Sequence, residues 1–187
     1  MKKLRRILLI SDSLYMLTGA LLGPIYALFV NKIGGDLLDA SGTFAVYMLT
    51  AGAFIFFLGF WEDKSKHQAK FVIAGYGIGI LGYVVFLLVN SILTLFTAQA
   101  ILGLSAALKD PAYDALFSRS GSKHLALAWG EWEAMDYVAL GIGALIGGFI
   151  AQQFGFAVLL WCMLVLSIFS FGISLLLLRF KRLYESI

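Results

Sequence analysis

Cysteine and proline are almost absent from this chain. Its 187 residues hold one cysteine, Cys162, and two prolines, Pro24 and Pro111. A lone cysteine excludes an intramolecular disulfide and any zinc cluster built on cysteines. Charge is scarce as well: 13% of residues are charged, against about a quarter in a soluble domain. The two histidines, His67 and His124, lie in polar segments. Neither shares a recognisable nucleophile or metal spacing with a cysteine, serine or acid. No phosphate-cradling glycine loop is present, so an enzyme is not expected, and neither is a cofactor or a metal site. No segment combines basic and aromatic residues as nucleic-acid binding requires. What the chain has in abundance is apolar surface. Hydrophobic residues make up 61% and aromatics 15%, with a mean hydropathy of +0.91. That composition excludes disorder and argues against an ordinary soluble globule.

The apolar residues come in long runs, which cross a bilayer as helices. The short alternating segments of a barrel do not occur. Six spans are expected: roughly 7–30, 43–61, 71–89, 92–108 with an extension through Pro111 to about 117, a fifth starting within 129–134 and ending near 152, and 156–178. The basic start before the first run also fits a secretory signal. Asp12 interrupts that run and the apolar stretch continues to Val30, so it reads as a retained helix. With six spans, every Lys and Arg except Lys32 falls on the side that holds both termini. The positive-inside rule then places both termini in the cytoplasm, as in a bacterial-type inner (plasma) membrane. The outer connections after the third and fifth spans are short, and the one at 31–42 is longer and carries Asp36 and Asp39.

Polar groups in a bilayer are costly, about 2.5–3.5 kcal/mol for Asp or Lys at a helix centre on insertion scales. Each therefore has two readings. Asp12, flanked by Ser11 and Ser13, is either an interfacial residue near a helix start or a carboxylate at the mouth of a cavity. Lys109, Asp110 and Asp114 close the fourth run. Asp110 and Asp114 share a face with Gln99 and Gly103 at helical spacing. They form either a solvated helix end or the inner wall of a cavity, and Lys109 can pair with Asp12, Asp110 or an acid of the fifth helix. Glu131, Glu133 and Asp136 open that fifth helix. They complement its N-terminus, or else Asp136, the deepest, exchanges a proton during transport. Tyr15 and Tyr26 are candidate substrate contacts. Trp61, Trp129 and Trp132 suit an aromatic belt. Small residues at four-residue spacing let helices approach closely: Gly19 and Gly23, Gly75 and Gly79, and Gly143 and Gly147 with Gly148 alongside. Gly23-Pro24 marks an expected kink.

Three of these stretches resemble motifs of the major facilitator superfamily, in the right order and across nearly the whole chain. Gly59, Asp63 and Lys64 look like the signature of the loop between helices 2 and 3, with Lys66 where the next glycine is expected and His67-Gln68 in place of its basic pair. Gln99 and Gly103 are similar to the arginine-x-x-x-glycine pattern of helix 4, with glutamine for arginine. Gly143-Ala144 through Gly147-Gly148 resemble the glycine-rich signature of helix 5, with Ala144 for proline. The resemblance implies an all-α membrane protein. Its fold would be a half bundle of six transmembrane helices, built as two inverted three-helix repeats over about 7–89 and 91–178 of a single 1–187 domain. It implies that helices 1 and 4 line a central cavity and that Gly59, Asp63 and Lys64 form a gating motif.

Family members have two such bundles. The expected partners are thus the lipid bilayer, a small solute and a second copy of the chain. A parallel two-fold homodimer would supply the missing half and support alternating access, with proton coupling as an option. Two alternatives stay open: a membrane scaffold that does not transport, and one half of a heterodimeric transporter.

Overall fold

The computed structural model describes the backbone of residues 2–65, 67–120 and 124–180, and their side chains except those of residues 2, 61–64 and 180. Among the described residues all regular structure is helical. Five helical stretches are long and apolar enough to cross a membrane: Lys3–Lys32, Leu37–Phe60, Gln68–Leu87, Ile92–Ser118 and Leu125–Arg179.

The first stretch is not one straight rod. Helix α1 (Lys2–Leu22) passes into a single 3-10 turn, Gly23–Ile25, and resumes as α2 (Tyr26–Lys32). Proline at the second position of that turn lacks the backbone donor that an uninterrupted α-helix needs. The expected kink is therefore a change of helix type. Gly34, with φ of 89°, turns the chain into α3 (Leu37–Lys64). That helix starts earlier than its apolar run and absorbs most of the connection expected at 31–42. The reason is a reciprocal cap: the Asp39 amide donates to the Asp36 carboxylate (2.8 Å) and the Asp36 amide to the Asp39 carboxylate (3.0 Å). Two orphan donors at a helix start are satisfied in this way. The two acids expected in a loop thus set a helix boundary.

Helix α4 (Gln68–Leu87) leads to α5 (Ile92–Ser118). Ser91 and Thr94 close a second capping box at the start of α5, and the helix runs through Pro111 to Ser118 as the longer expectation had it. The last stretch, α6 (Leu125–Ser174), is 50 residues long and consists of two helices joined across a kink at Gly155, where the fifth and sixth helices were expected to meet. A straight helix of that length would be about 75 Å long, more than twice the hydrocarbon thickness of about 30 Å. Gly155 breaks it with φ 83° and ψ 169°, a backbone conformation open to glycine and closed to other residues. The two arms then run past α1 in opposite directions. In the first arm Glu131 meets Arg5, Trp132 meets Asp12 and Gly147 meets Leu21. In the second, Phe156 packs near Phe29 and Ser170 bonds the Ser11 carbonyl. Helix formation at 125 also precedes the expected start in 129–134. A 3-10 turn, Leu175–Phe180, follows α6.

Two apolar clusters fill the bundle. One gathers Leu21, Phe29, Phe86, Leu95, Leu159 and Met163; the other gathers Leu8, Tyr76, Tyr113, Leu116 and Phe117. Glycines set the close approaches. A Cβ on Gly143 would lie 2.5 Å from Ala20 Cβ, and one on Gly147 would overlap the Leu21 carbonyl oxygen. Gly75 gives the backbone of α5 room at Ser105 and Lys109, and Gly103 sits against the Tyr47 carbonyl of α3. Gly148, Gly19 and Gly23 face open space, so they pack nothing. Of the three glycine pairs at four-residue spacing, Gly75 with Gly79 and Gly143 with Gly147 make close approaches, and Gly19 with Gly23 does not. Buried hydroxyls are satisfied close to home: Ser11, Thr18, Ser167 and Ser174 each donate to a carbonyl three or four residues earlier, as a helix surrounded by lipid requires.

Candidate functional site

Helix α1 carries an acid one turn into its apolar face, and the bundle is arranged around it. Asp12 is 1% exposed and Lys109 2%. Lys109 Nζ lies 2.8 Å from Asp12 Oδ1. Tyr76 of α4 donates its hydroxyl to the same oxygen at 3.2 Å, and the Trp132 indole N–H of α6 donates to Oδ2 at 2.8 Å. Four helices therefore meet on one carboxylate. The interfacial reading of Asp12 is corrected here. The residue is enclosed, because an acid on the inward face of α1 is stable in a low-dielectric interior only with a charged partner and filled acceptor sites.

The lysine is equally enclosed. Its ammonium also meets Asp110 Oδ1 at 2.8 Å, and the rings of Tyr15, Tyr113 and Tyr76 lie 5.3, 5.6 and 5.7 Å away. Aromatic faces favour a cation at such distances. Asp110 differs from Asp12 in one respect: its side chain is 43% exposed. Lys109 thus joins a buried acid to an open one.

Ten residues earlier on α5, about 15 Å along the axis, lies a second polar cluster without formal charge. Gln99 Nε2 donates to the Tyr26 hydroxyl (2.8 Å). Tyr26 and Thr43 hydroxyls are 2.7 Å apart, and Thr43 donates to the Asp39 carbonyl (2.7 Å). Between the clusters the Tyr15 hydroxyl bonds Ser105, which donates to the Gly75 carbonyl. Tyr15 also meets Tyr76 and Tyr83 edge to face.

A cavity of about 750 Å³ lies between the two clusters. Tyr15, Tyr26, Gln99, Lys109 and Asp110, all singled out from the sequence, line it. Helices α1, α2, α3 and α5 supply most of the wall, with Tyr83 and Phe86 from α4 and Leu140 and Met163 from the two arms of α6. Volumes of this order accept drug-sized molecules.

The other singled-out residues lie elsewhere. Asp12 stands behind Lys109 and does not reach the cavity. Asp114 is exposed on α5, one turn beyond Asp110, and Glu133 is exposed on α6; neither lines the cavity. Shared helical spacing with Gln99 did not bring Asp114 inside, because over fifteen residues the 3.6 period rotates the face away. Asp136 is half-buried, and its Oδ1 has no hydrogen-bond partner and no solvent access. Glu131 forms an ion pair with Arg5, whose guanidinium also lies over Phe117. The side chains of Asp63 and Lys64 lie outside the described residues, and Gly59 of the same motif faces open space.

Sequence reasoning missed Tyr76 and Trp132 as partners of Asp12, and Tyr47 and Tyr83 as cavity walls. A usable signal existed for Trp132. An indole N–H in lipid needs an acceptor, and Asp12 needed donors. Among the described residues no group of three His, Cys, Asp or Glu is placed to hold a metal ion.

The family model described as Major Facilitator Superfamily matches residues 8–185. No curated protein matches the chain.

Proposed function

The chain belongs to the major facilitator superfamily, and from that premise we propose that it works as a half-size secondary transporter of a small solute, with two copies sharing one path. The cavity carries this reading. Its wall combines Lys109, Asp110, Gln99 and four tyrosines, groups that orient a ligand in an otherwise apolar pocket. In this reading the two arms of α6 count as separate spans, giving six crossings in two inverted repeats with both termini in the cytoplasm. Gly155 and the opposite directions of the arms along α1 support that count.

The second copy follows from the shape of the site. Asp110, on the cavity wall, has a side chain that is 43% exposed. Exposed apolar residues of α3, such as Phe44 and Met48, and of the first arm of α6, such as Leu140 and Tyr137, lie on the helices that contribute to the same wall. An ionised residue facing lipid is unstable, which supports water and a second bundle on this side. Parallel insertion of two copies makes a two-fold pair. Rocking of one bundle against the other around the cavity then gives alternating access.

Liposomes that contain only this protein test the reading. Uptake of radiolabelled solutes above protein-free liposomes, saturating with solute concentration, is expected for at least one solute class. A dimer that transports none of a broad panel of cations, anions, sugars and amino acids would favour the scaffold reading instead.

A further inference from the structure

The end of the bundle that holds the start of α1 is electrically lopsided. Its described acids, apart from the enclosed Asp12, stand on α5 (Asp110 and Asp114) and on the first arm of α6 (Glu131, Glu133 and Asp136). Beyond Arg119 at the end of α5, the exposed cations stand on other elements: Lys3 and Arg6 on α1, Lys70 on α4, and Arg179 on the 3-10 turn after α6. Among the described residues none of these forms an ion pair. Arg5 shows the contrast. One residue round α1 from Arg6, it turns to Glu131 and Phe117. Lys3, Arg6 and Ile10 follow instead at i, i+3 and i+7, as one exposed stripe of the helix.

The elements that carry these cations are neighbours. Leu4 and Leu8 of α1, Ala69 and Val72 of α4 and Leu177 of the 3-10 turn bury their side chains in one apolar cluster. Lys3 and Lys70 each adjoin a member of that cluster, Arg6 lies between Leu4 and Leu8, and Arg179 lies two residues after Leu177. Three separate segments thus bring like charge to one edge of the bundle, and such a field attracts an anion. Next to the charges the surface is apolar. Ile10 lies one turn along α1 from Arg6, and Leu178 directly precedes Arg179; both are exposed. A soluble anion would leave these side chains uncovered. A ligand that is anionic at one end and apolar along its length covers both, as a phospholipid does where basic residues meet the hydrocarbon edge.

We propose that this edge seats an anionic phospholipid, with its phosphate against Arg6 and Arg179 and an acyl chain along Ile10 and Leu178. Lys3 and Lys70 add to the field around the headgroup. The seat lies outside the cavity and does not depend on the transporter reading. It joins the start of α1 to the turn that follows α6 through a shared counter-ion.

The test compares two lipids with the same chains and different net charge. The intact protein in a neutral detergent is titrated with phosphatidylglycerol or with phosphatidylcholine, and native mass spectrometry counts the lipids bound at each concentration. The first phosphatidylglycerol is expected to bind at least about fivefold tighter than the first phosphatidylcholine. Arg6→Gln combined with Arg179→Gln should weaken phosphatidylglycerol by about tenfold and leave phosphatidylcholine unchanged. Arg6→Lys combined with Arg179→Lys keeps the charge and should stay within about threefold of the parent. Lys32→Gln removes a cation from the end of α2, beside Phe156, and should change nothing. Thermal melting and the phosphatidylcholine affinity confirm that the variants are folded. Equal affinity for the two lipids, an unchanged phosphatidylglycerol affinity in the folded glutamine variant, or the same loss from Lys32→Gln overturns the assignment. Glycerol phosphate carries the charge without acyl chains and should not displace the bound lipid. Displacement at equal concentration would make the ligand a soluble phosphate and overturn the lipid as occupant.

Discussion

The two ends of the cavity are built from different chemistry. At the end that the proposed orientation places inside, Asp12 and Lys109 are fully enclosed and bind α1, α4, α5 and α6 together through a charged centre. At the outer end, Gln99, Tyr26 and Thr43 join α5, α2 and α3 through a neutral run of hydrogen bonds. A buried charge pair is strongly destabilised when one partner is lost. A neutral hydrogen bond contributes about 0.5–1.5 kcal/mol net and is readily exchanged for water. The inner end is therefore the costlier joint to break, and the outer end the cheaper one. The kink at Gly23–Ile25 lies next to Tyr26 of the neutral cluster, so local backbone irregularity and weak polar contacts coincide.

The comparison can be broken most severely at Lys109. Replacement by Met leaves Asp12 buried without its cation and is expected to cost about 3–5 kcal/mol. Thermal unfolding in detergent should show a large drop in midpoint. Adding Asp12→Asn to that variant should recover part of the loss, since the orphaned charge disappears. Failure of the double variant to recover would contradict the pairing.

A smaller effect is expected at Trp132. Trp132→Phe keeps an aromatic ring but removes the donor to Asp12 Oδ2. The expected cost is about 1.5–3 kcal/mol, as for a hydrogen bond to a charged group. It should appear as a lower melting midpoint and as faster amide exchange at the start of α6. Gly147→Ala probes the contact of that arm with α1 without touching either polar cluster. The added methyl overlaps the Leu21 carbonyl, so a cost of about 1–3 kcal/mol is expected from overpacking. Gly148→Ala, in open space, should leave the midpoint unchanged. The smallest loss belongs to the outer end. Tyr26→Phe removes the bridge between Gln99 and Thr43 and should cost about 1 kcal/mol, while amide exchange in α2 and the start of α3 speeds up. A Tyr26→Phe effect as large as that of Lys109→Met would erase the distinction between the two ends.

Much of this was legible in the sequence. Apolar runs located the membrane helices, and Pro24 located the break in the first. Lys109 was named as a partner for Asp12 or Asp110 because it stood alone among acids in an apolar setting, and it binds both. Other features depended on the tertiary arrangement. Asp36 and Asp39 read as loop acids because a capping pair and a polar loop have the same composition. The start of α3 follows from their mutual hydrogen bonds. Asp114, Glu133 and Asp136 stood on the correct helices, but periodicity gives a face and not the neighbour it meets. Tyr76 carried no pattern that set it apart from aromatics packed against lipid, and only the indole N–H in need of an acceptor pointed to Trp132.

The central claim is that two copies of this bundle enclose one cavity. Native mass spectrometry of the protein released from lipid nanodiscs tests it most directly. The account predicts a dimer that survives release and dissociates into single chains only at higher collision energy. Single chains alone, at protein concentrations where the nanodiscs hold two copies, would contradict it.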